Sequence, residues 1–404
     1  MCLIPPSSDI RIMAISVNAR PRRIALRAAW LFDGTSSTLL PNPVVVLDGS
    51  TVTAVDSASA VPPDAEVVDL PGATLLPGLI DTHVHLAFDG SAQPVAALAA
   101  RSAAEVVVAM IEAGEATVRA GVTTVRDLGD RDYLSLGLRD RAGMPTVVAA
   151  GPPITTPNGH CHYLGGTTMD VRAAVRERAE RGCDVVKIMA SGGTLTPGTL
   201  QEKSQFSADE LRAAVDEAHR QGLPVTAHAH GSQAIADAVD AGVNGLEHVS
   251  FWSADGVDDR PDLIRAIAER RIVVGATIGA KPIPGVAPPP AIARRLPAVM
   301  AALRAMYEAG APVVAGTDSG IGPPKPHGVL PYAIPHLRQI GLSAADSLRT
   351  VTSVAAGVCG LAHRKGRLAP GFDADVIAVD GDPLTDPTAL LRVQAVYVRG
   401  SREF

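Results

Sequence analysis

The chain is written as short apolar runs that stop on polar or small residues. Residues 24–30, 43–47, 52–55 and 66–70 are such runs, separated by Gly, Asp, Ser and Pro, and each reads as a strand. The same style returns after residue 364, at 366–368, 374–379 and 393–398. Two all-β fragments flanking a long middle predict one small β-sandwich domain built from both termini, over residues 22–72 plus 364–404. The middle, 73–363, has another rhythm. Apolar runs recur at 74–85, 122–128, 146–150, 185–190, 225–230, 245–249, 272–277 and 313–318, with helix-like segments such as 96–120, 170–181 and 207–221 between most of them. Ser207-Ala-Asp-Glu210 is a capping box, and Ser343-Ala-Ala-Asp346 resembles one. Eight strand–helix alternations predict an α/β fold, a (β/α)8 TIM barrel, with functional groups at the C-terminal strand ends. A doubly wound open sheet is the alternative, and it does not by itself explain what stands at those ends.

Composition narrows the class. At 404 residues the chain exceeds one usual core, in keeping with a large domain plus a small one. A 47% hydrophobic and 19% charged composition is ample for a sizeable core. The net charge of −6 argues against nucleic acid or an anionic membrane as partner, and the short basic cluster Arg20-Pro-Arg-Arg23 reads as a solvated arm. Cys2, Cys161, Cys183 and Cys359 form no CxxC pair and fit the reduced thiols of a cytoplasmic protein. No apolar run approaches the roughly 20 residues of a transmembrane helix. Residues 1–21 lack the features of a signal peptide and read as a disordered extension, with Met13 a second candidate start.

The chemistry stands at the ends of the apolar runs. His83 and His85 close Leu79-Ile-Asp-Thr-His-Val-His-Leu86, and a period of two puts both imidazoles on one face. Lys187 lies in Asp184-Val-Val-Lys-Ile-Met-Ala190, one of five lysines against thirty-one arginines. An unpaired ammonium in such a strand costs several kcal/mol unless it is neutralised or paired; otherwise it must snorkel to water. His228 and His230 end residues 224–231, His248 follows Glu247, and Asp318 ends 313–318. Taken singly, His248 is a satisfied core histidine and Asp318 an N-cap. Taken together, at the ends of runs one, four, five, six and eight, they look like the ligand set of a metal centre.

These residues carry a resemblance. His83-x-His85 after Pro77-Gly-Leu-Ile-Asp81, then Lys187, His228, His248 and Asp318, resembles the metal-dependent amidohydrolase superfamily over nearly the whole chain. The late segment Gly366-Arg-Leu…Gly371-Phe-Asp-Ala-Asp375 looks like that superfamily's return to its β-domain. Gly159-His-Cys-His162, Ala229-His-Gly231 and Glu247-His248 look closest to the imidazolonepropionase-like group that contains prolidases and Xaa-Arg/Lys carboxypeptidases.

The resemblance implies that Lys187 is carboxylated by CO2 and that its carbamate bridges two divalent metal ions. His83, His85 and Asp318 would hold the more buried ion, and His228 with His248 the second. Such ligands suit zinc, with manganese, cobalt or iron as alternatives. A hydroxide shared by the ions is the implied nucleophile, with Asp318 as ligand and general base/acid. His230 stands where relatives often place a tyrosine and is expected to donate to the oxyanion. His160, His162 and Tyr163, in the loop after run three, are candidates for substrate binding. His219, His327, His336 and His363 are expected to be structural. The loops 193–206 and 279–290, the second with five prolines, are long enough to shape the pocket, and Lys281 in it is either solvated or pairs a substrate carboxylate. The expected activity is hydrolysis of the amide bond of a small N-acyl amino acid or dipeptide. A hydrolase of a cyclic amide, ester or lactone is the alternative, and a non-catalytic binding barrel a third reading. A homo-oligomer is expected, since large barrels often assemble.

Overall fold

The computed structural model describes residues 23–56, 61–139 and 141–404, so the expected extension 1–21 and Cys2 lie outside the described residues. The chain opens with β1 (Arg23–Leu31), β2 (Leu40–Pro41), β3 (Val44–Asp48), β4 (Thr51–Asp56) and β5 (Glu66–Pro77). The middle carries β6 (Leu79–Val84), β7 (Val122–Asp127), β8 (Thr146–Ala149), β9 (Val186–Met189), β10 (Val225–Gly231), β11 (Gly245–Trp252), β12 (Val273–Thr277) and β13 (Val313–Gly316). The chain ends with β14 (Val376–Asp380), β15 (Val393–Val398) and β16 (Ser401–Arg402).

Both ends of the chain meet in one eight-stranded sheet of order β16-β15-β14-β5-β1-β3-β4, with β2 on β1. Its alternation buries Leu26, Leu47, Leu75, Val376 and Tyr397 in a single shared core. The middle strands form two all-parallel sheets, β6-β7-β8 and β9 through β13 in consecutive order. Strands β7, β9 and β13 are buried at every position, as parallel strands covered by helices should be. The two sheets touch through lone parallel bridges, Val84 with Ser319 at one edge and Ile154 with Ile188 at the other. All eight strands point the same way, so their C-terminal ends bring the polar stops of the apolar runs to one side.

Three local expectations change. Residues 74–85 are not one strand. Thr74–Pro77 belong to the terminal sheet, where Thr74 pairs with Trp30 and Val379, and β6 begins afresh at Leu79. Pro77 has no amide hydrogen to continue a ladder, and a Cβ on Gly78 would sit 2.1 Å from Thr123 Oγ1, so the chain kinks there. The helix expected over 96–120 is broken into Pro94–Ala99 and Ala103–Arg119 by a Ser102/Glu105 capping box. Residues 366–368 form a turn rather than a strand, with Leu368 N donating to Asp33 O at 3.1 Å. The box at Ser207 is present with both reciprocal bonds, and Ser343 caps its helix by accepting from Asp346 N.

One buried ion pair fastens the terminal sheet to the middle. Lys365 and Asp375 side chains are 1% and 7% exposed, and Asp375 also accepts from Arg399 N at 2.8 Å. The Asp375 carbonyl accepts from Gly78 N at 2.9 Å, the kink before β6. Asp373 shares Lys365 but keeps Arg364 as a second partner at 3.0 Å. Lys365→Met therefore strands the Asp375 charge, and breaking a buried pair costs about 3–5 kcal/mol. Urea unfolding should show a loss of that size, part of it recovered in Lys365→Met/Asp375→Leu; an unchanged midpoint would reject the fastening role.

Candidate metal centre and active site

The polar stops converge. His83 and His85 leave the end of β6, Lys187 stands on β9, His228 and His230 on β10, His248 on β11, and Asp318 follows β13. The Asp318 Oδ1 atom lies 3.5 Å from His83 Nε2 and 3.2 Å from His85 Nε2. The rings of His228 and His248 are 4.6 Å apart, and His230 stacks on His248 at 4.4 Å. Two groups could each hold an ion, His83 with His85 and Asp318, and His228 with His230 and His248; in each, one ligand atom per residue lies within 4.8 Å of the others. His230 thus stands beside the ligands rather than apart from them. Lys187 lines the same cavity as both groups; it is 1% exposed, and its Nζ has no hydrogen-bond partner among the described residues.

Each imidazole is oriented through its other nitrogen, as metal-binding histidines usually are. His83 Nδ1 faces Glu247 Oε2 at 2.9 Å, and His85 Nδ1 faces Gly129 O at 2.9 Å. His228 Nε2 faces Gly192 O at 3.1 Å, His230 Nδ1 faces Ser250 Oγ at 2.8 Å, and His248 Nδ1 faces Thr277 Oγ1 at 2.8 Å. That leaves His83 Nε2, His85 Nε2, His228 Nδ1, His230 Nε2 and His248 Nε2 without those partners. His248 and Asp318 have φ of +73° and +58°, in the left-handed region that costs non-glycine residues of order 1–3 kcal/mol.

The electrostatics keep this set ready for cations. Burial, with Lys187 beside it, pushes His83 down to about 4, and burial pushes His230 to about 4. Burial together with neighbouring imidazoles holds His228 and His248 well below their ordinary value. These rings are neutral near pH 7, the form that ligates. Burial opposes ionisation of Asp318, but His83 and His85 outweigh it and keep the carboxylate charged; the same contact draws His85 upward. Burial lowers Lys187 to about 8 even though Glu247 and Asp318 pull the other way.

A cavity of about 240 Å³ opens onto these residues. Of the loop candidates, His160 lines it, 4.7 Å ring to ring from His228, with Nδ1 facing Thr196 Oγ1 at 3.1 Å. His162 and Tyr163 do not line it: His162 Nδ1 turns back to Gly159 O, and the Tyr163 hydroxyl lies 3.7 Å from Cys161 Sγ. Lys281 is exposed outside it. His219 pairs with Asn244 and His327 with Phe88 O.

Sequence reasoning quoted Glu247 only as part of a motif with His248 and gave it no role. It is 1% exposed and takes His83, Arg126 Nη2 at 2.8 Å and Thr226 Oγ1 at 2.7 Å. Burial raises a carboxyl, yet Arg126 and His83 hold Glu247 far below the usual range. Lys325 is another, donating to Thr317 O at 2.6 Å and Thr277 O at 3.0 Å at the cavity edge. Buried charge beside a named imidazole was the signal, and it becomes visible only once Arg126 of β7, Thr226 of β10 and His83 of β6 converge on Glu247 of β11.

Residues 74–402 match the Amidohydrolase family, and the chain belongs to it. It is a hydrolase acting on carbon–nitrogen bonds, with an α/β fold of the TIM-barrel type and His/Asp groups that could bind metal. An uncharacterized protein of Mycobacterium tuberculosis is 30% identical over 352 residues, covering 81% of this chain and 85% of its own. Ochratoxinase of Aspergillus niger is 32% identical over 236 residues, 56% of this chain and 47% of that protein. Among solved structures, a Xaa-Pro dipeptidase with methionine bound in its active site has a TM-score of 0.81 at 27% identity, covering 94% of this chain and 99% of that one.

Glu247→Gln keeps the shape but removes the charge behind His83. Loss of such a partner costs roughly 10–100-fold in metal affinity. Titration of metal-free protein with zinc against a chelating indicator should show that weakening for one ion and not for the other; equal affinity would remove Glu247 from the site.

Proposed function

We propose that the chain is a binuclear metal-dependent amidohydrolase that cleaves the amide bond of a small N-acyl amino acid or dipeptide. The observation that carries this reading is Lys187, a buried amine without a hydrogen-bond partner among the described residues, lining the same cavity as two imidazole-rich groups and acting electrostatically on both. A bare ammonium there is poorly accommodated. A carbamate, formed when the neutral amine adds to CO2 and releases a proton, would turn the same atom's neighbourhood into an anionic oxygen ligand facing both groups. The donor set fits: His83, His85 and Asp318 for one ion, His228 and His248 for the other, and carboxylated Lys187 between them, with zinc favoured by the imidazole count. The dipeptidase likeness and its bound methionine support an amino-acid-like substrate, and the ochratoxinase relative supports hydrolytic chemistry at such a site.

When bound, the ions would supply Lewis acidity and lower the pKa of water toward neutrality. The rest falls to the chain. Asp318, kept ionised between His83 and His85, would take a proton from the attacking water and return it to the departing amine. His230 has Nδ1 2.8 Å from Ser250 Oγ; in the tautomer that accepts there, Nε2 carries the proton and would donate it to the oxygen that becomes negative. His160 lines the cavity beside His228 and would contact substrate there, with His162 and Tyr163 supporting its loop.

The same reading extends to the fold. The two lone bridges between the parallel sheets support closure into one eight-stranded barrel over 73–363. The shared core of the terminal sheet supports a small sandwich over 22–72 plus 364–404. Three buried, unpaired cysteines among the described residues fit a reducing, cytoplasmic compartment.

Two outcomes test the centre. Because Lys187 sits near a pKa of about 8, more of the amine is neutral as pH rises, so carbamate formation and uptake of both ions should increase from pH 7 to 9 and with bicarbonate. Carbon NMR with labelled bicarbonate should show one carbamate signal, absent in Lys187→Ala together with both ions; full metal uptake by that variant would reject the bridge. His230→Ala should keep both ions but lose about 10²–10³ in kcat. Loss of one ion instead would make His230 a ligand.

A further inference from the structure

The helix Pro290–Glu308 carries one apolar stripe, Ile292, Leu296, Val299, Leu303 and Met306, at helical spacing. Its two halves meet different surroundings. Leu303 and Met306, 5% and 0% exposed, pack into the core, whereas Ile292, Leu296 and Val299 line the cavity, with Leu296 left 45% exposed. The division falls after Val299, two residues past Pro297, whose missing amide hydrogen interrupts the helical ladder. The proline-bearing loop 279–290 leads into this cavity-lining half.

The cavity-lining half is pinned. Arg295 is 6% exposed and donates to Ser253 O at 3.1 Å, Ala254 O at 2.9 Å and Gly256 O at 2.9 Å. Its guanidinium lies 4.5 Å from the centre of the Trp252 ring, and that ring meets His230 edge-on at 6.2 Å. A continuous contact therefore runs from the helix through Trp252 to the imidazole cluster. A helix fixed so firmly, yet showing an unfilled Leu, Ile and Val face to the reacting groups, has the form of half a binding site.

Resting on the amidohydrolase reading above, we propose that this helix and Trp252 form the specificity wall. The substrate then carries a bulky apolar group, an aromatic ring or a branched aliphatic chain, next to the scissile amide. That group completes the stripe from the open side, as the core completes it for Leu303 and Met306. Polar ends of the substrate are left to Gln201, Thr194 and Lys325, which also line the cavity.

The test uses the metal-loaded protein and two amide series, N-acyl amino acids that vary the acyl group and dipeptides that vary the amine half, each from methyl to phenyl size. In one of the two series kcat/KM should rise with apolar bulk. Leu296→Ala and Ile292→Ala should each lower it by roughly tenfold or more for the bulky members, with the smallest members and the metal content little changed. Equal losses across both series, or no bulk preference in the parent, would overturn the wall. A second readout separates this from the reaction itself. Trp30→Phe leaves Trp252 as the single tryptophan of two, and its fluorescence should respond to bulky amides and not to small ones, with Leu296→Ala weakening the response. If no amide is turned over but that response is present, the wall stands and the assigned reaction falls. If the response is absent as well, the wall falls too.

Discussion

The buried side chain of Lys187 constrains everything around it. Its stem follows an all-buried strand and its nitrogen is buried where the residue lines the cavity, without a hydrogen bond among the described residues. Taking an ammonium out of water costs several kcal/mol unless charge or chemistry answers it. The fold answers with two carboxylates in its field, Glu247 and Asp318, and still leaves the amine easier to deprotonate than usual. An amine that deprotonates more readily than usual, in the same cavity as two imidazole groups, is suited to modification. Under the proposed function, metal ligation and lysine carboxylation would be two consequences of one placement.

Parallel strands make the placement possible because neighbouring chain ends support one another. Glu247 leaves β11 to reach His83 beyond two other elements, while Thr226 of β10 and Arg126 of β7 hold its second oxygen. Room for that carboxylate comes from the next strand: a Cβ on Gly275 would lie 2.0 Å from Glu247 Oε2. The cost of the centre is carried by backbone as well. His248 and Asp318 hold left-handed conformations, and Val249 and Phe251, both apolar, do the same at φ of +46° and +49°. Those turns swing successive β11 side chains so that His248 joins the imidazole group with His228 and His230 while Ser250 faces His230 Nδ1.

What the sequence disclosed follows from this geometry. Polar residues at the ends of apolar runs are visible in one dimension, because a strand's last residue is also its last letter. His83, His85 and Asp318 stood out as polar stops, whereas Lys187, His228 and His248, which lie inside β9, β10 and β11, stood out as polar interruptions of apolar runs, and the alternation of strand and helix was legible as well. Glu247 was not, since it is one letter before His248 and its importance lies in residues 121 and 164 positions away in sequence. The split at Pro77–Gly78 was written in the sequence as a breaker pair, but continuous apolarity from 74 to 80 masked it. Tyr163 and His162 read as site residues from proximity to His160, yet a short 3-10 turn at His162–Leu164 after left-handed Cys161 rotates them away from the cavity. Arg295 could not be found by pattern, because an arginine on a helix is solvated far more often than it is clamped by three carbonyls.

The charged centre and the apolar wall also act on each other. An unfilled cavity admits water, which weakens every electrostatic contact within it by raising the local dielectric. Seating an apolar group against Leu296, Ile292 and Trp252 removes that water from the side of His230 and Asp318. Interactions that are modest in a wet pocket then strengthen at the moment the amide is in place. The Trp252 ring, held between Arg295 and His230, makes the coupling structural: whatever presses on the wall also bears on the imidazole assigned to the oxyanion. A small amide would leave the wall unfilled and the pocket wet. Selectivity for apolar bulk would therefore register in kcat as well as in KM, because the group that is recognised also sets the dielectric in which the reaction runs.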